Sequence, residues 1–139
     1  MSQVNLALAR RWFDELWNQR NESLIDELLT PDSVCYSDHG PICGVDEFRK
    51  SQYIPFTSAF SESHIEIEDM VADRDFVVVR WNFTGKHSGD LEGHAATNQH
   101  VYFSGMTWIR YSQGKMMEGW QCSNLPKLVP DPPLRLPPV

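Results

Sequence analysis

Phe76-Val77-Val78-Val79-Arg80-Trp81-Asn82-Phe83, running straight on into Thr84-Gly85-Lys86-His87-Ser88-Gly89-Asp90-Leu91, is the stretch on which the fold turns. Its first eight residues are β-branched or aromatic except Arg80 and Asn82, and read as a strand with much of both faces covered. Arg80 and Asn82, two positions apart, share one face of that strand. Residues 85–98 are rich in Gly, His and small side chains and read as a long loop.

Working outward, residues 101–111 and 115–122 are two more strands. The Ser112-Gln113-Gly114 link between them has the length and glycine of a hairpin turn. On the other side, Asp73-Arg74-Asp75 is a turn. Before it, His64, Glu66 and Glu68 alternate with Ile65 and Ile67 as a strand to Val71. Residues 45–60 are expected to be helical in two pieces, because Pro55 disrupts a helix interior. Residues 2–19 place Leu6, Ala9, Phe13, Leu16 and Trp17 at helical spacing. A second helix, capped by Asn21 or Ser23, shows Leu24, Ile25, Leu28 and Leu29 as its apolar face and is expected to stop at Pro31. Residues 33–37 read as a short strand ending in the turn Asp38-His39-Gly40-Pro41. Helices followed by an antiparallel meander predict an α+β layer fold. The domain is expected over 1–128. Residues 129–139 hold five of the nine prolines and read as an extended tail that wraps the domain or a partner.

The 139 residues suit one domain with a proper core. A net charge of −7 and scattered basic residues argue against nucleic acid as a partner. No apolar run is long enough for a membrane span, and the N-terminus lacks a signal-peptide pattern, so a cytoplasmic protein is expected. Cys35, Cys43 and Cys122 have no C-x-x-C spacing and read as reduced thiols. His64, His94 and His100 lack metal-ligand spacing and read as surface or turn histidines, so no metal is expected.

The stretch 79–91 resembles the strand, terminal tryptophan and Gly-Thr-His-x-Gly turn of the SnoaL-like polyketide cyclases, a branch of the nuclear-transport-factor-2-like superfamily. Here Lys86 takes the place of the usual Thr. Val101-Tyr102-Phe103-Ser104-Gly105, Ile109-Arg110 and 114–120 resemble the family's final hairpin. Trp17-Asn18, Leu28, Pro31 and Gly44 also stand where the family has similar residues. The resemblance runs from about Leu6 to Leu128. It implies a curved antiparallel sheet wrapped by N-terminal helices into a cone-shaped pocket, no cofactor, and a homodimer packed through the sheets. It also implies intramolecular aldol closure of a polyketide, although related folds host other chemistry or none.

Aldol closure needs one group that removes an acidic proton and later returns it. Glu118, a mid-strand carboxylate among Met116, Met117 and Trp120, is the first candidate. Alternation places Met116, Glu118, Trp120 and Cys122 on one face, with Trp108 and Met106 across the hairpin. Asp38 and His39, at the end of the first strand, are the second candidates, although Asp-His-Gly-Pro is also good turn chemistry. The family's acid/base aspartate has no counterpart, since no Asp lies between Asp90 and Asp131, and Asn124 stands at a later family aspartate. Asn124 is expected to cap a short turn over 125–128. Arg80 and Asn82 are reminiscent of the Arg-x-Asp pair of limonene-epoxide hydrolase, but Asn82 cannot activate water as a carboxylate does. His87, in the family's turn, lines the pocket rim or braces its loop. Trp17, Tyr36, Phe56, Met106, Trp108 and Trp120 are expected to stack against a flat ligand. The expected function is cofactor-free cyclase, isomerase or lyase chemistry on a hydrophobic, carbonyl-bearing small molecule. The alternative is a non-catalytic binding domain of the same fold.

Overall fold

The computed structural model describes residues 2–37 and 40–125. The turn pair Asp38-His39 and the tail 129–139 lie outside the described residues. Helix α1 (Ser2–Arg11) continues as a π-helical segment, π1 (Trp12–Asn18), and is followed by α2 (Ser23–Leu28). A hairpin of β1 (Leu29–Ser37) and β2 (Gly40–Cys43) leads into α3 (Gly44–Phe48), π2 (Arg49–Tyr53) and α4 (Ile54–Ala59). The meander β3 (Phe60–Asp73), β4 (Phe76–His87), β5 (His100–Ser112) and β6 (Lys115–Ser123) completes an open α+β fold. The sheet order is β2-β1-β6-β5-β4-β3.

One pairing departs from the antiparallel expectation: β1 and β6 run parallel. The chain leaves β1, crosses through the second helical run to the far edge at β3, and reverses three times on its way back. The last strand therefore arrives alongside β1 in the same direction.

Pro31 acts differently from expectation, whereas Pro55 falls in the first turn of a helical piece. Pro31 lies inside β1, in the interval between Leu29 and Val34 where the pairing with β6 slips, a place where a missing backbone N–H is tolerated. Pro55 stands at the start of α4, so 44–59 forms one helical run that re-phases through π2 and the second piece starts on the proline. Phe60 is already strand, β3 and β4 are longer than the sequence pattern suggests, and β2 is an extra strand.

Odd-numbered positions of β4 and β5 make the inner face, where Val77, Val79, Trp81, Phe83, Phe103, Ile109 and Tyr111 are buried beneath the helices. Trp81 takes this position because its indole N–H finds a buried partner, Thr107 Oγ1, at 2.9 Å. Its ring lies across Gly105, where a Cβ would stand 2.5 Å from the indole.

The β5–β6 hairpin turns on Gln113 (φ 51°) and Gly114 (φ 77°), a two-residue turn closed by Ser112 and Lys115. From there the register shifts once: Tyr111 opposes Met116, but Arg110 opposes Glu118. Met117 is the extra residue of a β-bulge. The expected single face of Met116, Glu118 and Trp120 is thereby corrected. Met116 is buried on the inner face, whereas Glu118 opposes Arg110 and Trp120 opposes Trp108 on the outer face. Asn124 engages the backbone of Ser104 through both its backbone N–H and its side-chain Oδ1, and the turn it is expected to cap lies, past Leu125, outside the described residues.

Side chains tie the helical layer to the sheet edge. Asn18 mimics a neighbouring strand, with Nδ2 donating to Ile65 O at 2.9 Å and Oδ1 accepting from Ile65 N–H at 2.7 Å. Arg20 donates to the carbonyls of Thr57 and Phe60 and to Ser63 Oγ. Asn18→Ala should leave both backbone groups of Ile65 without their partner and lower stability by about 1–3 kcal/mol. Urea unfolding would measure this, and a loss below about 0.5 kcal/mol would contradict the clamp.

Candidate functional site

Between the inner sheet face and the helices lies a cavity of about 30 Å³. Segment π1 supplies Trp12 and Trp17, whose rings pack on Phe48 at 5.4 and 6.5 Å. Phe48 and Gln52 border it from the second helical run, Cys35 from β1, Thr107 and Ile109 from β5, and Met116, Gly119 and Gln121 from β6. Among the described residues, none on this lining is Asp, Glu, Lys, Arg or His. Burial pushes the Cys35 thiol up to about 11, so it stands there as a protonated sulfur. The volume matches one water molecule in the liquid and is far below the ~300–1,000 Å³ of typical ligand pockets.

A second space, a groove of about 500 Å³, lies on the outer face and is lined by Tyr36, Val78, Met106, Trp108, Trp120 and Cys122 among others. Tyr36 and Trp120 stack at 4.0 Å across the parallel β1–β6 seam, and the pair borders both spaces. Met106 and Trp120 are 47% and 48% exposed, so the outer face carries a sizeable apolar patch.

The structure divides the residues singled out from the sequence between the two faces. Trp17 borders the inner cavity. Phe56 belongs instead to a ring cluster with Trp17, Phe60 and Phe83 at 5.0–5.3 Å. His87 sits at the inner end of β4, braced by a 3.2 Å contact between Nδ1 and Thr97 Oγ1. Tyr36, Met106, Trp108 and Trp120 gather around the outer groove. Arg80 and Asn82 are also outside, both donating to Glu68 at 2.7 and 2.6 Å. Glu118 lies 3.9 Å from Arg110, whose guanidinium sits 5.0 Å over Trp108. Asp38 and His39 lie outside the described residues.

A family model described as SnoaL-like polyketide cyclase matches residues 7–131. The chain belongs to the SnoaL-like polyketide cyclase family. Among solved structures it is similar to a protein of Jannaschia sp. CCS1 assigned provisionally as a SnoaL-like polyketide cyclase. That likeness has a TM-score of 0.85 and 21% identity, covering 92% of this chain and 90% of that one. It is also similar to AclR of Streptomyces galilaeus, assigned provisionally as a hydroxylase (TM-score 0.80, 27% identity, 93% and 96% covered). A provisional polyketide cyclase of Acidithiobacillus ferrooxidans gives TM-score 0.80 and 21% identity, with 93% and 94% covered. No curated protein matches the chain.

Membership gives the chain a cyclase-type fold suited to handling small molecules. No helix among the described residues is long and apolar enough to cross a membrane. Nor do the described residues contain a group of three or more His, Cys, Asp or Glu able to hold a metal ion.

The SnoaL-like sequence pattern did not point to Gln52, Thr107, Cys35 or Gln121. Gln52 was detectable, since it falls four residues after Phe48 and four before Phe56, on one helical stripe with both. A polar residue on a buried stripe is the signal. Thr107 carried a weaker one, as a hydroxyl in the inner-facing alternation of β5.

The neutral state of Cys35 is directly measurable. At pH 8, iodoacetamide should alkylate Cys35 on the order of 100-fold more slowly in the native chain than in the urea-unfolded chain, from the smaller thiolate fraction alone. The native thiol keeps its proton to about pH 11, whereas an unfolded one loses it near 9. Stability should therefore decline as pH rises through that interval. Equal labelling rates of Cys35 in the native and the unfolded chain, followed by mass spectrometry, would refute the assignment.

Proposed function

We propose that the inner cavity receives a flat, hydrophobic, carbonyl-bearing small molecule of the polyketide type, and that the chain acts on it by cofactor-free proton transfer. The observation that carries this reading is the lining itself: aromatic walls from π1 and α3, with neutral hydrogen-bonding groups from Gln52, Thr107 and Gln121. Such a lining favours an uncharged ligand, because the described lining residues include no Lys, Arg or His to receive a carboxylate. Holding a ligand larger than water requires the wall to yield.

The proton-transfer role falls to Asp38 with His39 rather than to Glu118. Glu118 projects from the outer face and faces Arg110, so the sheet separates it from the inner cavity. That same placement favours the second reading, a binding domain without catalysis, should Asp38 and His39 prove to be turn residues only.

A panel of β-keto-ester anthraquinones and related polyketides tests these readings. Wild type should close or isomerise at least one. Asp38→Asn should lower turnover by about 10²–10⁴ with binding intact, and Glu118→Gln should stay within about threefold. Gly119→Val supplies the steric control. A Cβ at Gly119 would stand 3.7 Å from Cys35 Sγ, in ordinary contact, so the larger side chain occupies the cavity. Binding that survives Gly119→Val would place the ligand elsewhere, the outer groove first. Binding without turnover in wild type would support the second reading.

We further propose that two copies pack through their outer faces, covering Met106, Trp108 and Trp120. A patch centred on tryptophan and methionine has the composition of an interface core. Sedimentation equilibrium at micromolar concentration should give a dimer for wild type and a monomer for Met106→Glu. A monomeric wild type, or a Met106→Glu variant still dimeric, would refute this arrangement.

A further inference from the structure

Two features stand outside the proposed chemistry: the aromatic groove on the outer face and the proline-rich segment that follows Leu125 in the sequence. The groove runs across the sheet from Val78 on β4, past Trp108 and Trp120, to Tyr36 on β1 and Gly40 on β2. Adjacent strands in the order β2-β1-β6-β5-β4 make its floor, so the four gaps between them, at ~4.8 Å each, give it a length of ~19 Å. Among the described residues, no Asp, Glu, Lys, Arg or His lines it. At about 500 Å³ it has room for several side chains. The inner cavity, at about 30 Å³, admits no chain segment.

The sequence beyond Leu125 carries a matching pattern. A polyproline II helix has three residues per turn, so residues three apart share a face. Read with that period, Pro130, Pro133, Leu136 and Val139 make an unbroken apolar stripe, while the charged Asp131 and Arg135 fall on the two other columns. At ~3.1 Å per residue the stripe from Pro130 to Leu136 measures ~19 Å, the length of the groove. Pro133 is its midpoint, as β6 is the middle strand of the floor. Proline fixes φ in advance, so ordering such a segment costs little entropy. The point of departure suits the groove as well. Cys122, near the end of β6, lines it, and Asn124 ties the chain to Ser104, two residues along β5 from Met106. Leu125 packs against the core, so the root of the segment is fixed. Residues 126–129 span up to ~13 Å when extended, more than the ~10 Å of two strand gaps between β6 and either end of the groove.

We infer that the outer groove is the docking site of the chain's own proline-rich segment, with Pro130, Pro133 and Leu136 laid against Tyr36, Trp108 and Trp120. Extended proline-rich segments are held in aromatic grooves in this way because the partner arrives preformed and its rings stack on flat walls. Tyr36 and Trp120, already stacked on each other at 4.0 Å, give such a wall without rearrangement. The docking does not depend on any reaction in the inner cavity. It is compatible with two copies meeting on this face, since a groove left open between two sheets would be a void that close-packed interfaces do not carry.

The full chain carrying Pro133→Cys tests this, with native Cys122 as the reporter in the groove and native Cys43, exposed on β2, as the control. An equal mixture of isotopically light and heavy chains is oxidised with diamide at nanomolar concentration, and linked peptides are identified by mass spectrometry. The introduced thiol should pair with Cys122 at least about tenfold more often than with Cys43, within peptides of a single isotope. Adding Leu136→Asp should cut that preference below about threefold. Equal pairing with the two native cysteines, or a preference that Leu136→Asp leaves unchanged, would overturn the docking. Mixed-isotope pairs in half of the linked peptides would overturn the assignment to the same chain, since the segment would then belong to a second copy. A chain with native Pro133 supplies a second readout. There Leu136→Asp should speed peroxide oxidation of Met106, which lines the groove, at least about threefold at nanomolar concentration, and an unchanged rate would overturn the docking.

Discussion

A single extra residue, Met117, decides what each face of this sheet can do. Strand alternation assigns every side chain of β5 and β6 to one face or the other, and a one-residue slip reverses all that follow. The inner set of β5 (Thr107, Ile109 and Tyr111) is anchored by the Trp81–Thr107 hydrogen bond. Without the bulge, continuation of the pairing from Ser112–Lys115 would bring Glu118 opposite Ile109, under the helices. With it, Gly119 takes that place and Glu118 meets Arg110 outside. A carboxylate is kept from burial, an indole is turned outward, and a glycine leaves room where the cavity lies.

The helical layer completes the inner space with unusual turns rather than with regular helix. Both segments that line it most closely, π1 and π2, depart from the α-helical repeat. They sit between firm attachments: Asn18 and Arg20 to the sheet edge, and Arg49 and Tyr53 to neighbouring helices. Such walls hold a small cavity between fixed points, and π segments of this kind recur at functional sites. The fold is shared with proteins assigned provisionally to different chemistries, so the architecture by itself assigns no reaction.

Much of the architecture was legible in the residues. The β-branched run at 76–83, the apolar stripe of the first helix and the Gly-His loop identified the element order, because each depends on local periodicity. The boundaries were less so. Pro31 entered a strand and β3 began at Phe60, where neighbours override local preference. Four of the residues expected around one ligand, Tyr36, Met106, Trp108 and Trp120, do share a surface, but it is the outer face, whereas Trp17 borders the inner cavity.

The amino-acid sequence by itself determined the fold class and the family, since period-2 and period-3.6 patterns and a motif spread along the chain are properties of nearest neighbours in sequence. Which face each candidate took was decided only by tertiary structure. The bulge at Met117 follows from fitting β6 between β5 and β1, and the inner cavity formed only when the helices closed over the sheet. Both depend on partners dozens of residues away, which no local pattern records.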